Sequence, residues 1–433
     1  MQRFVRPFSY LLKIEAAGGL VLLACTILSL ALANSAWSDR FAEFWRTPIG
    51  FRVGGYELTK SLVVWINDGL MAIFFFVVGL EIKREMVFGE LREFRKAALP
   101  AAAALGGMVV PAGIYLAFQH GQPGERGWGI PMATDIAFVV GLLALLGKRV
   151  PFGLKILLLT LAIVDDIGAV LVIAVAYTSD ISFAYLAIAA VGFVVVHLCN
   201  RLGVRPIPVY VVLGAIIWFA SLKSHVHPTV AGVILGLMTP ARPWYSEQSL
   251  VRVADGVLLR LRQDGDETVD HKEAVRVLTA TARETVSPLD RLEKALHPWV
   301  AFAIMPIFAI ANAGVTIDMN QIGHPVAVAV AVGLVAGKAI GILTFSWLAV
   351  RLGLARLPAG VSWRGLVGAS CLAGIGFTMS LFIAGLALDE SLLNAGKTGT
   401  LVGSTISAVL GLSLLLLVLP RADRNGNPEA KAK

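Results

Sequence analysis

Apolar stretches of the length that crosses a bilayer recur twelve times along this chain, and no other feature restricts its fold as strongly. They lie at roughly residues 11 to 34, 60 to 80, 97 to 118, 128 to 146, 153 to 177, 183 to 199, 207 to 222, 227 to 240, 297 to 314, 325 to 348, 365 to 388 and 399 to 419. Such a span needs about 20 apolar residues, and it is helical because lipid offers the backbone no hydrogen-bond partner. Composition agrees, with 15% of the 433 residues charged against roughly 25% in soluble domains. A soluble globule, a disordered chain, a collagen-like repeat and a disulfide-stapled secreted domain are excluded. Cys25, Cys199 and Cys371 sit singly in apolar runs, without metal or redox spacing, and read as packing residues. The predicted class is an all-α polytopic membrane protein of about twelve transmembrane helices, a single integral membrane domain over residues 1–433.

The first stretch follows Arg3 and Arg6 like a signal peptide, but its core is long for one and eleven more spans follow, so an uncleaved helix is expected. A formal charge of +8 invites a nucleic-acid reading. Sorting the 37 Lys and Arg residues by loop removes it: 29 fall on one side of the membrane, seven on the other, and Lys338 lies inside a span. Positive charge is retained on the cytoplasmic side, so both termini are placed there and no nucleic-acid partner is needed. Two segments look soluble. Ile49 to Thr59, with Gly54-Gly55 between β-prone runs, reads as an external hairpin at about residues 45–59, a plain loop being the alternative. The cytoplasmic loop at about 241–296 carries Leu250, Val253, Val257 and Leu261 at helical spacing with Arg252, Arg260 and Arg262 between them, which predicts amphipathic surface helices. A cytoplasmic tail occupies 421–433.

A charged group at mid-bilayer costs at least ~2.5 to 3.5 kcal/mol, so each is a candidate functional residue. Asp165 and Asp166 stand in Leu-Ala-Ile-Val-Asp-Asp-Ile-Gly-Ala-Val-Leu, apolar on both sides. Neighbours on a helix point about 100° apart, so both can line one cavity. Two like charges in a poorly hydrated site do not both ionise cheaply, and such a pair suits exchange of protons for a cation. A helix-end pair, or a buried salt bridge to Lys338, is the structural alternative. Asp135 follows Pro131-Met132-Ala133-Thr134, with Gly127 and Gly129 before it, and an interruption of the fourth span is predicted there. A carboxylate beside it can neutralise the positive ends of half-helices, unless it merely marks the span's entrance. Lys338, too central to reach water, is expected to pair with an aspartate.

The eleventh span holds a second predicted break at Gly374-Ile-Gly-Phe-Thr-Met-Ser380. Thr134, Phe138, Gly141 and Leu142 share the spacing of Thr378, Phe382, Gly385 and Leu386. The charge count runs the fourth helix inward and the eleventh outward, as inverted repeats with a site between broken helices require. Asp68, and Glu81, Lys83, Arg84 and Glu85 at the cytoplasmic end of the second span, form either a funnel to that site or an ordinary solvated helix end. His225 and His227 border the eighth span on the external side.

These residues resemble the NhaA-type sodium/proton antiporters of bacterial inner membranes, a family that is itself a type case of inverted repeats. The likeness is carried by Trp65-Ile-Asn-Asp68, Val78-Gly-Leu-Glu-Ile-Lys-Arg-Glu85, Ala133-Thr-Asp-Ile-Ala137, Ile163-Val-Asp-Asp-Ile-Gly168, His227, Ala231-Gly-Val233, His297-Pro-Trp-Val300, Ala311-Asn-Ala-Gly314, Gly337-Lys338 and Gly374 to Ser380. The resemblance implies electrogenic exchange, more protons entering than sodium or lithium ions leaving, activated at alkaline pH. It implies Asp166 as principal cation ligand and Asp165 as its partner in cation and proton binding, paired with Lys338 in the closed form. Thr134 and Asp135 with Lys338 would balance the crossed breaks, and Glu81, Arg84, Glu85, His227 and Glu293 would form a pH-response cluster. It implies no cofactor, surrounding membrane lipid, and a homodimer through the external hairpin. The chain departs from the family in its long charged loop between Asp255 and Glu284.

Three rivals fit the residues less well. An intramembrane aspartic protease wants its carboxylates on different helices, and a channel wants a ring of ligands. A sodium-coupled solute symporter wants a roomy polar pocket.

Overall fold

A computed structural model describes residues 2–53, 56–178, 181–263, 270–316 and 319–419. The chain opens with α1 (Gln2–Ala33), which turns through 113° into α2 (Ser38–Arg46), a short helix with Phe41, Phe44 and Trp45 among Asp39, Arg40, Glu43 and Arg46. Strands β1 (Pro48–Val53) and β2 (Tyr56–Ser61) then pair antiparallel from Pro48↔Ser61 to Val53↔Tyr56. This is the expected hairpin, although its Gly54-Gly55 turn lies outside the described residues, as does the tail at 421–433.

The helices that follow are α3 (Leu62–Val87), α4 (Phe94–Gln119), α5 (Ile136–Leu146), α6 (Phe152–Ala176), α7 (Phe183–Arg201), α8 (Ile207–Lys223) and α9 (Pro228–Met238). Beyond them come α10 (Glu247–Gln263), α11 (Asp270–Glu284), α12 (Pro288–Asn312), α13 (Pro325–Arg351), α14 (Trp363–Leu372), α15 (Phe377–Ala387) and α16 (Glu390–Val418). Among the described residues, eight helices are long and apolar enough to cross a bilayer, or ten if each of two bent pairs counts as one span. The shorter apolar helices α8 and α9 occupy the remaining two stretches. The molecule is thus an all-α multi-pass membrane protein with one small sheet.

Both expected interruptions are present. The fourth span begins as a tight helix, Glu125–Met132, runs extended through 133–135 and resumes as α5. In the eleventh, α14 and α15 meet at 47° across 373–376. The amphipathic helices expected between 241 and 296 are α10 and α11, with residues 264–269 outside the described set; Leu250, Val253 and Val257 are half-buried and Arg252 is exposed, while the side chains of Arg260, Leu261 and Arg262 lie outside the described set. Helix α12 starts at Pro288, where the Ser287 hydroxyl accepts from Asp290 N at 3.1 Å and caps the helix.

Small residues let the spans approach closely where the site lies. Helix α4 packs on α13 with Gly106 facing Gly341 and Pro111 facing Gly337, where an added Cβ would lie 2.8 Å from Pro111 Cα. Helix α9 lies along α3 in the same direction, Gly232 against Ala72 and Gly236 against Gly79. In α13 a wide turn at Gly333–Gly337 immediately precedes Lys338.

Candidate functional site

Backbone groups freed at 133–135 and 373–376 have no lipid partner, so protein must satisfy them. The two breaks cross and do this for each other. Asp135 N–H donates to Ile375 O (2.7 Å), the Thr134 hydroxyl to Ala373 O (2.9 Å) and the Ser380 hydroxyl to Ile130 O (2.6 Å). One free N–H beyond each break is taken by the same carboxylate. Asp135 Oδ1 accepts from Phe138 N (3.2 Å) in α5, and Oδ2 accepts from Thr378 N (3.0 Å) and the Thr378 hydroxyl in α15. The negative side chain therefore faces the positive N-termini of both half-helices.

Lys338 is fully buried and donates to Asp165 Oδ2 at 2.6 Å and to Thr134 Oγ1 at 2.9 Å. It reaches the crossed breaks through Thr134, while Asp135 is occupied by Thr378. Asp165 and Asp166, 1% and 2% exposed on α6, diverge in their partners. Asp165 carries the lysine. Asp166 makes no ion pair or hydrogen bond to the described residues and lines a cavity of about 70 Å³ together with Thr134, Asp135, Met379, Glu81 and His297. Pockets for organic ligands run about 300–1,000 Å³, so this cavity suits a few waters or one small ion. Oxygen ligands of this kind bind protons or hard cations.

The cavity's rim joins the end of α3 to the start of α12. Glu81 Oε1 lies 3.4 Å from His297 Nδ1, Arg84 pairs with the buried Glu293, and Glu85, 4.0 Å from Arg84, accepts from Glu90 N at 3.0 Å. Glu81, Arg84, Glu85 and Glu293 are thus together. His227 is not with them: it precedes α9, beside the opposite end of α3.

Sequence reasoning missed three participants. His297 lay in a family-like stretch but bore no role, and Thr378 was visible only through its match in spacing to Thr134. Ser404, whose Oγ accepts from Gly376 N and Phe377 N, is one of several hydroxyl residues in α16 and nothing local marks it.

The profile of the family described as Na+/H+ antiporter 1 matches residues 9–415. A Na(+)/H(+) antiporter NhaA of Rhodopirellula baltica is 52% identical over 425 residues, covering 98% of this chain and 97% of that protein. One of Rhizobium meliloti is 52% identical over 421 residues, 96% of each chain, and Na(+)/H(+) antiporter NhaA 2 of Acidiphilium cryptum is 54% identical over 418 residues, 96% of this chain and 93% of that one. Likeness of that extent, joined to two crossed helix breaks around a buried aspartate pair, settles descent: the chain belongs to the Na+/H+ antiporter 1 family.

Proposed function

We propose that this chain exchanges sodium or lithium ions for protons across a bacterial inner membrane, with Asp165 and Asp166 as the shared binding site. The observation that carries the reading is the unequal pair: adjacent buried carboxylates of which Lys338 neutralises one, leaving Asp166 on a cavity of ionic size. The mechanism is competition. A sodium ion entering past Glu81 and His297 displaces protons from the pair and takes carboxylate oxygens, with Thr134 or backbone carbonyls completing its shell. Rocking of one bundle against another turns the loaded site outward, where protons at higher activity displace the ion. Coupling follows because both cargoes use the same carboxylates. Asp135 and Lys338 support the site by balancing the helix breaks.

The finer expectations belong to the same reading. More protons enter than cations leave, exchange rises at alkaline pH through the Glu81, Arg84, Glu85 and Glu293 rim, and both termini with the α10–α11 arm are cytoplasmic, the chain forming one transporter domain over 1–433. His227 acts from the external side, and β1–β2 joins two copies into a homodimer among the membrane lipids.

The test uses purified protein in liposomes with an acid interior and a trapped pH dye, pulsed with sodium, lithium or potassium chloride. Interior alkalinisation with sodium or lithium, absent with potassium and absent in Asp166→Asn, is expected. Intact protein that moves no protons at any pH would defeat the reading.

A further inference from the structure

Helix α15 starts inside the protein with no capping side chain of its own. Its N-cap is Gly376, and a side chain there has no room, since a Cβ would lie 2.9 Å from Leu334 Cδ2 and 3.1 Å from Ala133 O. The first N–H groups of a helix nevertheless need acceptors, and this end cannot turn to water. Helix α5 meets the same need with its own Asp135. For α15 the acceptor comes from another span.

Ser404 sits within α16, 4% exposed, and its Oγ accepts from Gly376 N at 3.2 Å and Phe377 N at 3.1 Å. The next N–H, that of Thr378, goes to Asp135. The end of α15 is therefore shared between a neutral hydroxyl and a carboxylate that also caps α5. Gly403, one residue before Ser404, lies against the wide turn that leads to Lys338: a Cβ there would be 2.9 Å from Ala331 Cα and 3.1 Å from Leu334 Cδ1. One short stretch of α16 thus touches both the broken helix and the lysine helix.

We propose that Ser404 is a positioning residue for exchange, an N-cap supplied to α15 from α16. By accepting two N–H groups it seats Thr378 on Asp135, leaves the other carboxylate oxygen to α5, and holds the crossed breaks in register with Thr134 and Lys338. The inference rests on the exchange reading given above.

Wild type, Ser404→Ala, Ser404→Thr and Asp166→Asn are compared in the same liposomes over a series of sodium concentrations, with melting temperatures measured in detergent. Ser404→Ala is expected to lower the maximal rate per folded molecule about five- to ten-fold, while the sodium concentration for half-maximal rate moves less than about two-fold. Ser404→Thr keeps the hydroxyl and restores the rate to within about two-fold of wild type. A lower melting temperature in Ser404→Ala with an unchanged rate per folded molecule would overturn the proposal, because it would make the hydroxyl a matter of folding alone. So would a Ser404→Thr protein as slow as the alanine variant. If wild type exchanges nothing, or Asp166→Asn exchanges as wild type does, the exchange reading fails first and this inference falls with it.

Discussion

Asp165 and Asp166 are neighbours in sequence and alike in burial, yet Lys338 donates to Asp165 and not to Asp166. That difference predicts unequal variants. Asp165→Asn strands the buried ammonium of Lys338 with Thr134 as its hydrogen-bond partner, and removing one member of a buried ion pair costs about 3–5 kcal/mol. Asp166→Asn removes a carboxylate with no such partner, and its loss of stability is expected below about 1 kcal/mol. Both variants should abolish exchange, while unfolding in a common detergent should rank Asp166→Asn well above Asp165→Asn; the reverse order would mean that the lysine's partner is misassigned.

At the scale of elements, two broken spans succeed in a membrane because each supplies acceptors for the other. Thr134 reaches Ala373 and Thr378 reaches Asp135, so residues matched in the spacing of the two spans make reciprocal contacts. Helices α3 and α12 are joined differently, by charge, through Arg84 and Glu293, a pair beyond the cavity-lining Glu81 and His297. If this junction sets the pH response, Arg84→Ala and Glu293→Ala should each move the pH of half-maximal exchange by about half a unit or more, and the double variant should move it no further than the larger single effect. Additive shifts would show two independent groups. The breaks were legible from glycine, proline and an intramembrane aspartate. The wide turns at Ile66–Leu70, Val300–Ile304 and Gly333–Gly337 were not, because one extra residue in a helical turn leaves no mark on hydropathy. Helix α2 also went unread, as nine mostly polar and aromatic residues between a span and a hairpin look like loop.

Across the whole molecule, the close glycine faces of α4 on α13 and α9 on α3 bring the lysine and the rim to the aspartates. The paired strands β1 and β2 leave Ile49 at 47% exposure, with Trp65 Nε1 of α3 donating to Ile49 O at 2.8 Å, and a two-stranded sheet has edge positions that can pair with another copy. If the hairpin joins two copies as proposed, detergent mass measurements should give a dimer for the wild type and a monomer when residues 48–61 are replaced by a flexible linker, with exchange per chain largely intact. An unchanged mass would move the interface elsewhere. The sequence by itself determined the class and the positions of the spans, and it singled out Asp135, Asp165, Asp166 and Lys338 as charges within them. Each of these is a local property, the hydropathy of about 20 residues or a charge out of place among them. The tertiary structure puts Lys338 on Asp165, as the family resemblance implied, and it alone decided that Glu293 reaches Arg84 across 209 residues while His227 does not join them, and that Ser404 caps a helix begun 27 residues earlier. These are distances between segments remote in the chain, set by how closely the helices pack, and no local pattern of residues encodes them.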